Sequence, residues 1–255
     1  LTQKVQRPYS YVVPVSAAAR AVERRDGSGR SVQRLASQQL VEGLPTGNDA
    51  VPTGPRMVSW RADAPATLVW AEAQDGGDPN REAPVRDAVL TLAAPFDAAP
   101  ATLAQLGSRY AGIAWGNGQV ALLNERWFKT RWAKRWQIAP DNAQLAPKLL
   151  SDRSSQDRYN DPGMPLLRTA DNGQRLLQFS DDGKAIFLAG AGASEAGDRP
   201  FVDRFDLASA SATRVFQSTP GQYSQPLAVL DGQGQRLLVS RESPDQPAIL
   251  FVIDQ

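Results

Sequence analysis

Short apolar runs recur along the whole chain, and clusters of Gly, Pro, Asn and Asp close each of them. That punctuation predicts strands rather than helices. The clearest set lies at 111–115, 119–125, 131–138 and 146–150. Gly116-Asn117-Gly118 supplies a tight turn between the first two, because glycine takes positive φ without steric cost. Ala139-Pro140-Asp141-Asn142 closes the third with turn chemistry. The same plan appears upstream at 56–60, 66–73, 85–92 and 101–106, and downstream at 175–180, 185–190, 201–207 and 213–217. Runs at 223–230, 235–240 and 248–253 open a further unit. Those at 2–7, 11–13, 19–25 and 31–36 read as the later strands of a first one. Trp60 and Trp115 both fall at the end of a first strand.

A four-stranded meander cannot bury both of its faces alone, and repetition of it about every 50 residues points to propeller blades. The expected fold is all-β, a partial β-propeller of four-stranded antiparallel blades. About three are complete (56–106, 111–150, 166–217) and two partial (1–36, 223–255). Propellers avoid raw sheet edges by closing the ring, so an internal piece of a longer protein is expected.

The loops have a side. In a meander, second-to-third turns and blade-to-blade connections share one face, and the long loops fall in that set: 37–55, 74–84, 126–130, 151–165 and 190–200. The short turns 61–65, 116–118, 181–183 and 231–234 belong to the other face. Long, chemically rich loops on one face of a rigid scaffold are where binding usually sits.

Composition narrows the chemistry. The net charge of +1 gives no general pull toward nucleic acid or an anionic membrane. No apolar run approaches the roughly 18–20 residues of a bilayer span. With no Cys there is no disulfide framework, and with no His the usual imidazole base and commonest metal ligand are excluded. Gly192-Ala193-Ser194-Glu195-Ala196 falls one residue short of a nucleophile elbow, and Gly197-Asp198-Arg199-Pro200 breaks the helix an elbow needs. Gly190-Ala191-Gly192 fails the dinucleotide fingerprint because Glu195 stands where the third Gly belongs.

Arg126, Lys129, Arg131, Lys134 and Arg135 interleave with Trp127, Trp132 and Trp136, a mixture able to stack on single-stranded nucleic acid. A hairpin explains it better: alternation puts Trp132, Lys134, Trp136 and Ile138 on one face and Arg131, Ala133, Arg135 and Gln137 on the other. Asp75, Asp78, Asn80 and Glu82 are oxygen donors for a hard cation, but their spacing does not match the calcium loop, and a solvated hairpin loop is expected. Asp152, Asp157 and Asp161 read the same way.

The wording of the loops carries more than their composition. Arg7-Pro8-Tyr9-Ser10-Tyr11-Val12-Val13-Pro14 comes first, then Thr53-Gly54-Pro55-Arg56 with Ser59-Trp60-Arg61-Ala62-Asp63, and Glu72-Ala73-Gln74-Asp75-Gly76-Gly77-Asp78. Tyr110-Ala111-Gly112-Ile113-Ala114-Trp115, Trp127-Phe128-Lys129-Thr130-Arg131 and Asp152-Arg153-Ser154-Ser155-Gln156-Asp157 follow in order. Gly192-Ala193-Ser194 with Gly197-Asp198-Arg199-Pro200-Phe201 completes the set. Together they resemble the glutamyl endopeptidase branch of the prolyl oligopeptidase family of serine peptidases.

The resemblance implies a propeller set over a C-terminal α/β-hydrolase domain that carries Ser, Asp and His, with cleavage on the carboxyl side of Glu. This chain matches only the middle and later blades and no part of the hydrolase domain. No catalytic residue carries over, no cofactor or metal is implied, and the piece alone is expected to be inactive. Its expected role is to gate and position peptide substrate for that absent domain, so its partners are a peptide and the hydrolase domain, not nucleic acid. A non-catalytic propeller that binds a protein or peptide is the competing reading. Preference for Glu requires a cation to offset desolvation of the substrate carboxylate. If the propeller supplies it, Arg56, Lys129 and Arg131 are the candidates, since all three lie in or beside the long loops. The bland alternative pairs them with Asp75, Asp78 or Asp157 to fix those loops.

Overall fold

The computed structural model describes residues 1–13, 15–40, 42 and 47–254. Part of the long loop expected at 37–55 lies outside the described residues. Among the described residues there is no α-helix, only strands and one 3-10 turn, Val15–Ala17. The chain divides into two compact units. One is Leu1–Gly112 with Asn124–Ala133, the other Ile113–Leu123 with Lys134–Gln255.

The first unit opens with a three-stranded sheet of β1 (Thr2–Val5), β2 (Arg20–Arg25) and β3 (Ser31–Gln38), paired antiparallel in that order. A complete blade follows: β4 (Arg56–Trp60), β5 (Thr67–Ala73), β6 (Asp87–Ala93) and β7 (Ala101–Leu106), each antiparallel to the next. Alternation in β4 turns Arg56 and Val58 inward and Met57 and Ser59 outward. The core gathers Val22, Ala36, Val58, Leu68, Trp70 and Leu92. Trp60 and Phe96 pack against it, their rings edge to face at 6.0 Å.

The expected strand at 11–13 does not form. The Ser10 hydroxyl accepts the Val12 N–H at 3.1 Å, a local bond that competes with strand pairing, and Tyr11 and Val12 are exposed. The loop after β5 is tightly built. Gly77 has φ +78°, and a Cβ there would lie 1.9 Å from the Val51 carbonyl oxygen, whose own N–H donates to the Gly77 carbonyl at 3.1 Å. Gly77→Ala is therefore expected to cost about 1–3 kcal/mol through backbone strain, read as a lower midpoint in urea. An unchanged midpoint would mean the loop relaxes freely.

A second four-stranded sheet runs β8 (Arg109–Asn117), β9 (Val120–Trp127), β10 (Trp132–Ile138) and β11 (Lys148–Ser154) in sequential order. Its residues 109–112 and 124–133 count with the first unit and the others with the second. Trp60 closes β4, whereas Trp115 is buried inside β8, which continues through Gly116 and Asn117. The expected match of the two at a strand end holds for Trp60 only.

The second unit continues with β12 (Met164–Pro165), β13 (Leu167–Thr169), β14 (Arg175–Leu177) and β15 (Ala185–Gly190). Then come β16 (Ala193–Ser194), β17 (Gly197–Asp198), β18 (Phe201–Asp206) and β19 (Ser211–Gln217). Its blade has the order β12-β15-β18-β19. The run at 175–180, expected to open this blade, does not. The turn at Asn172 and Gly173, with Gly173 at φ +76° and its N–H on the Ala170 carbonyl at 2.8 Å, folds β14 back onto β13 as a local hairpin. Met164–Pro165 takes the edge of the blade instead, and Phe179 keeps an isolated bridge to Ile186. The expected loop at 190–200 likewise contains the small β16–β17 hairpin. A three-stranded sheet of β20 (Tyr223–Val229), β21 (Arg236–Ser243) and β22 (Gln246–Asp254) ends the chain.

Strand β15 is apolar on both faces, which is what a central strand needs. Ile186 and Leu188 join Leu122, Leu177, Phe205 and Leu207 on one side. Phe187 joins Val202, Phe216, Val229, Leu237 and Val239 on the other. The all-β class and the four-stranded antiparallel blades are as expected from the sequence.

Candidate functional site

The chemically densest part of the first unit is a buried set of arginines and aspartates at the ends of its strands. Asp75 follows β5, Asp87 opens β6 and Arg109 opens β8. Asp75 is 0% exposed. The Arg109 fork donates to both of its oxygens, Nη1 to Oδ1 at 2.9 Å and Nη2 to Oδ2 at 2.8 Å, the bidentate geometry that makes Arg–carboxylate pairs strong. Arg86 Nη1 adds a third bond to Asp75 at 2.9 Å. Arg109 Nη1 also reaches Asp87 Oδ1 at 3.1 Å, and Asp87 Oδ2 accepts the Tyr110 N–H at 2.6 Å and Arg56 Nη2. Arg86 and Arg109 lie over the Trp127 ring, at 4.1 and 5.6 Å from its centre.

Burial alone would raise the Asp75 pKa. The hydrogen bonds and charge of Arg109, with help from Arg86 and the Gly77 N–H, outweigh it and hold the carboxyl below its usual range. At Arg56 burial wins over the attraction of Asp87, and its pKa falls. Burial pushes the Tyr110 phenol up to about 12.

Asp49 ties a second feature to this network. Its carbonyl accepts Arg109 Nε at 2.8 Å, and its side chain accepts two consecutive amides, Phe128 N–H at 2.7 Å on Oδ1 and Lys129 N–H at 2.9 Å on Oδ2. These amides belong to the β9–β10 turn, closed by the Arg131 N–H on the Phe128 carbonyl at 3.1 Å. Arg131 has φ +59°, and its guanidinium lies 3.5 Å from the centre of the Phe128 ring. The Lys129 side chain is exposed.

The three cations named from the sequence are thus not equivalent. Lys129 and Arg131 share one turn. Arg56 is 7% exposed, inside the network, with Asp87 as its partner rather than Asp75, Asp78 or Asp157. Its Nη1 finds no hydrogen-bond partner among the described residues. The solvated-loop reading of Asp75 is wrong, because two arginines take that carboxylate out of water. Asp78 and Asn80 do form a local turn, with the Asn80 N–H on Asp78 Oδ1 at 2.9 Å. Arg109, Arg86, Asp87 and Asp49 were not singled out by sequence; the first three offer only charge at strand ends, and Asp49 is a loop aspartate between β3 and β4.

In the second unit, Asp152 meets Lys134 at 3.6 Å and Asp161 meets Arg153 at 2.7 Å. Asp157 caps its own turn through Asn160. Among the described residues no group of three or more His, Cys, Asp or Glu side chains is arranged to hold a metal ion. The face of β10 expected to carry Trp132, Lys134, Trp136 and Ile138 is not uniformly buried: Trp132 is 44% exposed, whereas Ile138 is buried. Arg135, from the opposite face, lines a small cavity with Leu122, Leu150, Ile186, Leu188 and Phe205. Burial there lowers its pKa, and Nη1 donates to the Gly163 carbonyl at 2.9 Å. Ser194 sits in the β16–β17 hairpin with its hydroxyl on the Gly197 carbonyl at 2.7 Å, so it is not a nucleophile elbow.

Sheet order and strand direction define an all-β protein built from four-stranded antiparallel blades, of the propeller kind. The chain is homologous to proteins named glutamyl endopeptidase, in agreement with that branch of the peptidase family. "Probable glutamyl endopeptidase, chloroplastic" of Arabidopsis thaliana is 38% identical over 236 residues, which is 90% of this chain and 24% of that protein. The protein of the same name from Oryza sativa subsp. japonica is 37% identical over 257 residues, 95% of this chain and 27% of its own length. The chain therefore spans about a quarter of the curated relatives it matches. No protein-family model matches it. Among solved structures, an oligogalacturonate lyase in complex with manganese is 13% identical, covering 94% of this chain and 55% of that one, with TM-score 0.45. An oligogalacturonate lyase from Vibrio parahaemolyticus is 11% identical, with 94% and 56% covered and TM-score 0.49.

Proposed function

We propose that this chain is the propeller part of a glutamyl-endopeptidase-like serine peptidase. It gates and positions peptide substrate for an α/β-hydrolase domain supplied by the rest of a longer protein. The observation that carries this reading is homology over nine-tenths of the chain to proteins of that name. The nucleophile and its imidazole base come from elsewhere, since the chain has no His.

Recognition of the substrate carboxylate falls to the turn that carries Lys129 and Arg131. Lys129 offers a mobile point charge and Arg131 a planar fork able to bind a carboxylate bidentately. Arg56 belongs to the fold, because turning it toward a substrate would leave Asp87 buried beside one cation fewer. The experiment is Lys129→Ala and Arg131→Ala in the full-length enzyme, assayed on matched Glu and Gln peptides. The ratio of kcat/KM for Glu over Gln is expected to fall about tenfold, roughly 1.4 kcal/mol, for at least one of them. Equal losses on both peptides reject the recognition role.

A further inference from the structure

The geometry points to Asp49 as the positioning residue of the turn that carries Lys129 and Arg131. This rests on reading that turn as the carboxylate-recognition element. Three observations carry it. The Asp49 side chain is buried, yet it accepts two hydrogen bonds from main-chain amides, those of Phe128 and Lys129. Two successive N–H groups converging on one anion form a concave, partly positive nest, and here the chain supplies its own anion. The bonds span 79 and 80 residues of sequence, so they fix the turn against a distant part of the same unit.

The anchor is itself held. Arg109 Nε grips the Asp49 carbonyl while the rest of that guanidinium is committed to Asp75 and Asp87. The carbonyl and the carboxylate of Asp49 thus do separate work, one facing the network and the other the turn. A change confined to the side chain releases the turn and leaves the Arg109 contact in place. Arg131 also needs the anchor. Its φ of +59° is a conformation that non-glycine residues adopt at a cost, and surrounding contacts must hold it. With the turn fixed, Lys129 and Arg131 present their charges from a defined place, so the ordering cost of binding is met before the substrate arrives.

Asp49→Asn in the full-length enzyme tests this, with Asp78→Asn, whose side chain caps a local turn, as the control. The amide keeps the size but offers one acceptor oxygen where two amides need two. Trypsin cleavage after Lys129 and Arg131, followed by the appearance of new termini at Thr130 and Trp132, is expected to quicken at least fivefold in Asp49→Asn and not in the control. KM for a Glu peptide is expected to rise about fivefold with kcat within a factor of two, while the matched Gln peptide is unaffected. A general loss of structure would instead lower kcat on both peptides. Faster cleavage with unchanged Glu-over-Gln selectivity keeps the anchor and overturns the recognition reading. Unchanged cleavage together with unchanged KM overturns the anchor. Hydrogen exchange in the wild-type enzyme gives the same decision if the variant does not fold. The Phe128 and Lys129 amides should exchange at least a hundredfold slower than the free-chain rate, and exchange at the free-chain rate overturns the proposal.

Discussion

Replacing Arg109 by Met is expected to destabilise the protein by about 3–5 kcal/mol, the range seen when one partner is removed from a buried ion pair. The size follows from what is left behind. Asp75 keeps Arg86 as a hydrogen-bonded cation, Asp87 keeps Arg56 and the Tyr110 N–H, and the Asp49 carbonyl loses the Arg109 donor. A surface pair such as Arg236–Asp254, with side chains 59% and 75% exposed, should lose under about 1 kcal/mol when broken. Acid sharpens the contrast. The folded-state pKa of Asp75 lies below its unfolded value, so its contribution is complete above the unfolded value, near 3.9, and is lost as pH falls through the folded one. Without Arg109, burial opposes ionisation with less to offset it. The acid-unfolding midpoint of Arg109→Met should then move to higher pH. Urea unfolding at pH 7 and at pH 4 measures both effects. A loss below about 1 kcal/mol at pH 7 would show that the remaining arginines redistribute to cover both carboxylates.

Phe187→Ala is the second large effect, about 3–5 kcal/mol. Phe187 is fully buried in the second unit among Val202, Phe216, Val229, Leu237 and Val239. Gly234 closes over the ring: a Cβ added there would come within 2.7 Å of Phe187 Cε1. The surrounding strands are hydrogen-bonded to one another and cannot simply collapse into the space. The cost therefore includes a cavity as well as lost transfer energy. Leu250→Ala, on an exposed position of β22, is the matching control and should stay within about 0.5 kcal/mol. Comparable urea midpoints for the two variants would contradict the assignment of Phe187 to a rigid core.

How much of this was legible in the sequence depends on the range of the interaction involved. Strands 56–60, 101–106 and 185–190 end where the apolar runs end, because turn residues within a few positions stop them. The error at 175–180 has the same local origin. The Asn172-Gly173 turn is as good a hairpin signal as those between blades, and only pairing shows which partner it serves. The turn with Lys129 and Arg131 was visible as a basic loop tip. Its anchor was not, since Asp49 is an ordinary loop aspartate until Phe128 and Lys129 are brought to it. Asp75 shows the limit most plainly: next to Asp78 and Asn80 it reads as solvated, and its burial is decided by Arg109, 34 residues away.

The sheets themselves are sequential, each strand pairing with its chain neighbour through most of the molecule. During synthesis, β4 to β7 can therefore complete their ladder as soon as Leu106 has left the ribosome. The charges cannot be settled on the same schedule. Asp75 and Asp87 wait for Arg109, and Asp49 waits for Phe128 and Lys129. A growing chain between these points carries a finished blade whose acidic strand ends still require water. The first unit is complete only when its separate segment Asn124–Ala133 arrives, so its last contacts are set by translation of a stretch well beyond the finished blade.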